Sequence, residues 1–247
     1  MKNISDKQKR AEIDYPLKLS KQLQKWEWTK PFGYVSRTPL KNINFPSHNA
    51  QRLLDFSIIL KLLNLPLHSK ILDVGCGGGW ISDLLEKMNY KMVGIDISPH
   101  MINLAKKRKT KNVRFIVQDV EFLDLRENFD GVLIYAALHH MPNKKMVLSN
   151  LYKVLKKNGK LVIMEPGKKL EEMEAAKEAV KRYGTREIGE SASYLTKLLK
   201  EVGFRNIKCH SIFEFVLPEN IFKKISLFVP FILYFEKQHK INITCRK

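Results

Sequence analysis

The chain has 247 residues, a length that suits one large domain with a real core. Its hydrophobic content of 44% is typical of a soluble globular protein. Residues 1–25 are charged and polar, so no signal peptide is expected and a cytoplasmic location is the default. Three scattered cysteines exclude a disulfide framework and a cysteine zinc site, and no metal-ligand set is predicted. The net charge of +19 fits a nucleic-acid partner, an anionic membrane surface or dispersed lysines on solvated helix faces.

Residues 1–48 lack strong periodicity and predict a cap or lid segment, preceding a domain over residues 49–247. The segment carries aromatic residues interrupted by three prolines. These aromatic residues are Trp26, Trp28, Phe32, Tyr34 and Phe45. Apolar residues at helical spacing then predict a helix over 49–65, which Pro66 ends.

Strand and helix signals alternate from residue 70 onward. The predicted strands are 70–74, 91–96, 113–119, 129–137 and 160–166. The predicted helices between them are 81–88, one that begins with Ser98 as N-cap and Pro99 at the first helical position, and 144–156, which stops at Asn158-Gly159. This alternation is typical of an α/β, Rossmann-like doubly wound sheet of parallel strands with helices on both faces.

The last third of the chain predicts two helices, 170–182 and 191–202, then a sixth strand over 204–215 and a seventh over 240–247. Between these strands, the insertion at 217–240 is strongly apolar and carries lysines on both sides. Its apolar run, ISLFVPFILYF, is too short for a membrane span and contains Pro230. A packed helix pair and an amphipathic interfacial anchor both fit this pattern.

A glycine-rich loop, Gly-Cys-Gly-Gly-Gly-Trp from Gly75 to Trp80, follows the first predicted strand. It has no lysine, which excludes a Walker phosphate loop. Trp80 stands where a dinucleotide loop needs its third glycine, and this argues against a pyrophosphate ligand. The pattern leaves a loop whose backbone approaches another kind of ligand, or a purely structural tight turn.

Three aspartates lie at the ends of three successive predicted strands: Asp73, Asp96 and Asp119. The carboxyl ends of parallel strands share one crevice, which is the usual ligand position of such sheets. A single strand-end aspartate is commonly a helix cap, but three beside a glycine loop indicate a binding site. A carboxylate in the position of Asp96 can accept both hydroxyls of a ribose.

Five segments in this order resemble the motifs of class I S-adenosylmethionine-dependent methyltransferases of the small-molecule type. The segments are ILDVGCGGGW, VGIDIS, VQDVEFL, FDGVLIYAALHHM and VLKKNGKLVIMEPG. The resemblance covers residues 70–204. It implies a seven-stranded sheet whose last strand runs antiparallel, S-adenosyl-L-methionine as cofactor, and methyl transfer as the activity.

The resemblance also implies the cofactor contacts. Gly75, Gly77 and Gly79 would let the backbone approach the amino-acid portion of the cofactor, and Asp73 would organise the loop and face the methionine ammonium. Asp96 would bind the ribose, Ile97 would pack on the adenine, and Asp119 would accept from the adenine amino group beside Val120. Cys76 would be a small apolar residue at this loop, and Tyr135 a wall of the pocket.

Catalysis by displacement at an activated sulfonium depends largely on positioning, and a base is needed only where the acceptor must lose a proton. The candidates for this base are His139, His140 and Glu165, which follow the fourth and fifth predicted strands. The alternative for the two histidines is a cofactor or substrate contact without base function.

The acceptor is less defined. The position after the fourth strand reads YAALHH, which lacks the motif for methylation of base amino groups and the cysteine nucleophile for cytosine-C5 chemistry. Candidate substrate-binding residues are Trp28, Tyr34 and His48, whose alternative role is in a packed cap. The sequence favours an oxygen or other nucleophile of a small or lipid-linked acceptor, at or near an anionic membrane surface. An RNA methyltransferase and a non-catalytic cofactor-binding module remain as alternatives.

Overall fold

The fold is described from a computed structural model, over residues 4–23, 46–108, 110–211, 213–216 and 240–247. Trp28 and Tyr34 lie outside the described residues, as does almost all of the insertion at 217–240. His48 lies in a described helix, but its side chain is outside the description.

Seven strands form one sheet in the order β3-β2-β1-β4-β5-β7-β6. The strands are β1 (Lys70–Val74), β2 (Lys91–Asp96), β3 (Val113–Val117), β4 (Phe129–Tyr135), β5 (Leu155–Pro166), β6 (Arg205–His210) and β7 (Lys240–Arg246). The pairs from β3 through β5 are parallel, and β7 runs antiparallel to both β5 and β6. The predicted sheet, with its antiparallel last strand, is confirmed.

Eight labelled helices accompany the sheet in the described part of the chain. They are α1 (Ile4–Leu23), α2 (Pro46–Leu63), α3 (Trp80–Lys87), α4 (Pro99–Lys106), α5 (Lys144–Val154), α6 (Glu174–Tyr183), α7 (Ala192–Val202) and α8 (Phe213–Val216). Alternating strand residues divide the core between the two faces. Leu72, Val132 and Ile163 pack on the α5 and α7 side, while Ile71 and Leu133 pack with α2 and α3.

Several predicted boundaries were wrong. The strand predicted over 160–166 begins at Leu155, and those predicted over 113–119 and 129–137 end at Val117 and Tyr135. The helix predicted over 144–156 ends at Val154, because Leu155 pairs with Phe129 and begins β5. The helix predicted over 170–182 is a 3-10 segment over Lys168–Glu172 followed by α6.

The strand predicted over 204–215 stops at His210, and α8 follows. The Glu214 carboxylate accepts from the Ser211 amide at 3.1 Å, and the Glu214 amide donates to the Ser211 carbonyl at 3.2 Å. The turn therefore has half of a capping box, whose Ser-x-x-Glu spacing was present in the sequence.

The predicted N-terminus of α4 is confirmed: Ser98 is its N-cap residue and Pro99 its first helical residue. The Ser98 hydroxyl makes no capping bond and donates instead to the carbonyl of Ile13 in α1, at 3.1 Å. This contact brings α1 to the carboxyl edge of the sheet. In the part of the chain that is described, no helix combines the length and apolar character needed to cross a bilayer.

Candidate functional site

The glycine loop is held in a conformation that side chains disfavour. Gly75, Gly77 and Gly79 have φ values of 68°, 52° and 71°, in the left-handed region. A Cβ on Gly75 would lie 2.4 Å from the Cβ of Ala137, just beyond β4. The glycines therefore let the loop close against the end of β4, as well as leaving its backbone bare.

Asp96 ties this loop to the next helix. Its Oδ2 accepts from the Gly77 amide at 2.9 Å, and its Oδ1 accepts from the Ser98 amide at 2.8 Å. Burial raises the pKa of the Asp96 carboxyl, although both amide bonds act to lower it. The carboxylate is thereby fixed in orientation at the wall of a cavity.

Asp73 is more deeply buried, with 2% of its surface exposed. Its Oδ2 accepts from the Ser82 hydroxyl at 2.7 Å, so the first turn of α3 is tied to the end of β1. Burial raises the pKa of Asp73 to about 6, and the nearby Asp96 adds to the shift. A cationic ligand group beside Asp73 would favour its ionised form.

Asp119 has a cap role as well as a place in the cavity wall. Its Oδ1 accepts from the Glu121 amide at 2.9 Å, and its Oδ2 accepts from the Lys9 ammonium at 2.8 Å. Lys9 also pairs with Glu121 at 2.6 Å. An adenine amino group that approached Asp119 would therefore compete with a lysine from α1.

A cavity of about 240 Å³ opens between the loop, the strand ends and α1. Six of the predicted cofactor residues line it: Gly75, Gly77, Asp96, Ile97, Asp119 and Val120. Helix α1 adds four lining residues, Lys9, Glu12, Tyr15 and Pro16. The predicted cap segment thus contains a helix that covers this cavity.

A second cavity, of about 170 Å³, lies on the other side of the glycine loop. Asp73, Cys76 and Tyr135 line it, together with Arg52 and Trp80. Gly75 and Gly77 line both cavities, so one ligand could extend from the larger cavity to the smaller one around this backbone. Asp73 would then face the part of the ligand that lies in the smaller cavity.

Cys76 and Gly79 serve packing. Cys76 is buried in a small cluster with Ile102, Ala105 and Phe115, and burial raises the pKa of its thiol, so the thiolate is disfavoured. Gly79 caps α3, where a Cβ would lie 2.7 Å from the Phe115 ring. The helix packs closely on the sheet at Gly79, one position before the tryptophan that breaks the dinucleotide pattern.

Tyr135 is a fixed wall. Its hydroxyl donates to Asp55 Oδ2 at 2.7 Å, and its ring meets Trp80 edge-on at 5.7 Å between centroids. Asp55 is 2% exposed and also accepts from Gln51, at 2.9 Å, and from Lys240. Asp55 was not predicted from the sequence, because α2 gave only an apolar periodicity.

Glu165 anchors the turn that carries the two histidines. Its carboxylate accepts from the amides of Ala137, Leu138 and His139, at 2.7, 2.9 and 3.2 Å, and from His139 Nδ1 at 2.7 Å. Burial opposes its ionisation, but His139 and these amides hold the pKa of Glu165 below its ordinary value. The carboxylate is 3% exposed, and this set of bonds favours a positioning role over proton transfer.

The two histidines face different surroundings. His140 lines the larger cavity, whereas His139 is held behind it by Glu165. His140 Nδ1 lies 3.0 Å from the Arg186 carbonyl, 3.2 Å from Glu12 and 3.8 Å from Glu187. Burial alone would lower the pKa of His140, but Glu12, Glu187 and Glu165 raise it to about 9. Glu12 and Glu187 carried no recognisable signal in the sequence.

The family described as "Methyltransferase domain" matches residues 67–215 of the chain. The curated relatives include two enzymes named ubiquinone biosynthesis O-methyltransferase. That of Coxiella burnetii is 34% identical over 95 residues, or 37% of this chain and 41% of the relative. That of Pelagibacter ubique is 32% identical over 153 residues, or 58% of this chain and 61% of the relative. The chain therefore spans roughly half the length of these relatives.

Two solved structures show the same fold. Phosphoethanolamine N-methyltransferase 2 of Haemonchus contortus, in complex with S-adenosyl-L-methionine, has a TM-score of 0.64 at 19% identity and covers 97% of this chain and 60% of its own. A plantazolicin methyltransferase in complex with S-adenosylhomocysteine has a TM-score of 0.64 at 17% identity, with coverages of 98% and 95%. The chain therefore belongs to the methyltransferase domain family, and its resemblance to class I S-adenosylmethionine-dependent methyltransferases is confirmed.

Proposed function

We propose that the protein transfers the methyl group of S-adenosyl-L-methionine to an oxygen of a small or lipid-linked acceptor. The observation that carries this proposal is the fixed Asp96 carboxylate, which lines the cavity beside the bare backbone of the glycine loop. In a chain of the methyltransferase family, this arrangement suits an amino-acid-bearing nucleoside.

The residues that would hold the cofactor follow from the two cavities. Asp96 would accept from the ribose hydroxyls, with Ile97 against the adenine. The backbone at Gly75 and Gly77 would approach the amino-acid portion, and the buried Asp73 would face its ammonium. The sulfonium would then lie near the point where the two cavities meet, beside Gly75 and Ala136.

A hydroxyl acceptor is supported by two observations. The curated relatives carry the name O-methyltransferase. His140 and Glu12 also line the larger cavity, where a protonated imidazole and a carboxylate can hydrogen-bond a hydroxyl acceptor. The apolar, lysine-flanked insertion at 217–240 supports a lipid-linked acceptor and a cytoplasmic protein that meets the membrane surface.

Thermal unfolding with S-adenosylhomocysteine tests the cofactor assignment. At about a hundred times its Kd, the ligand should stabilise the native protein by roughly 2.7 kcal/mol. Asp96→Ala should weaken binding by about a hundredfold, because two charge-assisted hydrogen bonds are lost. Asp124→Ala removes an exposed carboxylate and should leave binding unchanged. An undiminished shift in Asp96→Ala would overturn the assignment.

The acceptor class is tested by product formation from a panel of hydroxylated quinones and phenols, with and without a prenyl tail. The expected product gains one methylene in mass as S-adenosylhomocysteine is released. Activity on a structured RNA, with an affinity that falls steeply with salt, would instead favour the RNA alternative.

A further inference from the structure

Four ionisable side chains from three separate segments converge beside the larger cavity. His139 and His140 follow β4, Glu187 comes from the loop between α6 and α7, and Glu12 comes from α1. One ligand atom from each of His139, His140 and Glu187 lies within 4.8 Å of the others. Both carboxylates are largely buried, with 11% of the Glu12 side chain and 10% of the Glu187 side chain exposed.

Three of the separations between these atoms are close to those around a tetrahedral metal ion. Glu187 Oε2 lies 3.6 Å from His139 Nε2, while His140 Nδ1 lies 3.2 Å from Glu12 Oε2 and 3.8 Å from Glu187 Oε1. With Zn²⁺ bonds of about 2.0–2.1 Å, two ligand atoms on a tetrahedral ion are about 3.3 Å apart. The ligand atoms of His139, His140 and Glu187 would have to draw closer than their present 4.8 Å limit, and Glu12 approaches this group at His140 Nδ1.

Two of the ligands, His139 and Glu12, are already oriented by outer partners. His139 Nδ1 lies 2.7 Å from Glu165, which leaves Nε2 on the side of Glu187. The Arg186 amide donates to Glu12 Oε1 at 2.7 Å, which leaves Oε2 toward His140. Metal-bound histidines almost always have such a carboxylate or carbonyl on the other ring nitrogen.

The charges around the cluster favour a cation. Glu12, Glu165 and Glu187 face two imidazoles. The nearby Arg186 guanidinium is directed elsewhere, to the His139 carbonyl at 2.6 Å and to Glu190 at 3.7 Å. Lys144 likewise pairs with Glu190, at 2.9 Å. A divalent cation would displace the Nδ1 proton of His140, which now faces the Arg186 carbonyl at 3.0 Å, and would take over its role of offsetting the repulsion among the three carboxylates.

We propose that His139 Nε2, His140 Nδ1, Glu187 and Glu12 bind a divalent transition metal of the Zn²⁺ type. Two imidazoles and two carboxylates are a ligand set that Zn²⁺ accepts. Binding would draw Glu12, and α1 with it, onto the end of β4. The site shares His140 and Glu12 with the acceptor side of the larger cavity, but metal binding requires neither cofactor nor acceptor and so goes beyond the proposed function.

The test uses the full chain, stripped with a chelator and then dialysed against Zn²⁺ alone. Elemental analysis should find one Zn²⁺ per chain, and Co²⁺ in its place should give visible absorption bands. Glu187→Gln and His140→Ala should each weaken Zn²⁺ binding at least about tenfold. Glu190→Gln, in the same loop but paired with Lys144, is the matched control and should bind as the wild type does.

Two results would overturn the site: no Zn²⁺ above the background of the stripped protein, or equal affinity in Glu187→Gln, His140→Ala and wild type. Circular dichroism of each variant separates loss of the site from loss of the fold. Asp96→Ala should retain Zn²⁺ while it loses S-adenosylhomocysteine, so failure of the metal site is distinguishable from failure of the cofactor assignment.

Discussion

The carboxyl edge of the sheet has two halves that are held together in different ways. At the ends of β1, β2 and β3, each aspartate bonds to a residue close to it in sequence, such as Asp96 to Ser98 and Asp119 to Glu121. Asp119 also binds the distant Lys9 of α1. At the ends of β4 and β5 the bonds join distant residues, as when the Ala137 amide donates to Glu165 across 28 positions and the Arg186 amide donates to Glu12 across 174.

This difference explains why short-range sequence patterns located one half of the site and not the other. A strand-end acid followed by a helix start is a short-range signal, and it located the cofactor half. The half that holds the histidines depends on α1 and on the loop after α6, which meet only in the folded chain. The two halves touch where Gly75 packs against Ala137.

Removal of the Glu165 carboxylate should cause the largest loss of stability, because this carboxylate holds the turn after β4 to the end of β5. Glu165→Ala leaves three backbone amides without their acceptor in a buried place, and we expect a loss of about 3–5 kcal/mol in the free energy of unfolding. Urea denaturation measures it. Glu171→Ala, at an exposed carboxylate, should change it by less than about 0.5 kcal/mol, and a similar small loss in Glu165→Ala would refute the anchoring role.

A methyl group added at Gly75, where the two halves meet, should cause the next largest loss of stability. Gly75→Ala adds a Cβ 2.4 Å from Ala137 at φ 68°, and we expect it to cost about 2–5 kcal/mol. Gly184→Ala has nearly the same φ, 71°, but its nearest neighbour is 3.9 Å away, so it should cost only about 1 kcal/mol. Thermal unfolding of both variants separates the cost of the steric clash from the cost of the positive φ. Equal losses of stability in the two variants would show that Gly75 is not tightly packed against Ala137.

In the cofactor half, substitution of Asp73 should stabilise the protein, whereas the two substitutions above should destabilise it. Its pKa is raised from 3.8 to about 6, so the native state keeps a proton that the unfolded chain has released. The stability this proton contributes is complete below pH 3.8 and is lost as the pH rises through about 6. Above about pH 7, Asp73→Asn should therefore raise the free energy of unfolding, by roughly 3 kcal/mol at most.

The same variant should weaken S-adenosylmethionine binding by about tenfold, because the charge that faces the ammonium is gone. Wild type and variant should unfold alike near pH 4, the lower end of this window. If Asp73→Asn instead lowers the free energy of unfolding at neutral pH, the buried charge of Asp73 does not destabilise the native protein.

Much of the fold followed from the sequence, and the exceptions have physical causes. β1 and β2 were predicted to the residue because each is a buried run bounded by turn signals. The end of α5 was missed because Lys156 and Lys157 favour a helix, whereas cross-strand pairing of Leu155 with Phe129 outweighs this local propensity. The Ser-x-x-Glu spacing of Ser211 and Glu214 indicates a helix start, but it was overlooked because the surrounding residues favour a strand.

The site divides in the same way. Asp73, Asp96 and Asp119 lie at the strand ends where they were predicted, and their roles toward the cofactor remain predictions. Lys9 and Glu12 could not be predicted, because a charged helix without a strong apolar stripe does not indicate what it covers.

Helix α1 has a consequence for the rate of the reaction cycle. A nucleoside that enters or leaves the larger cavity must pass a helix held by the contacts of Lys9 with Asp119 and of Glu12 with the Arg186 amide. We expect these contacts to open when the nucleoside exchanges, and therefore release of the spent cofactor to be slower than methyl transfer, as in many enzymes whose lids limit product release.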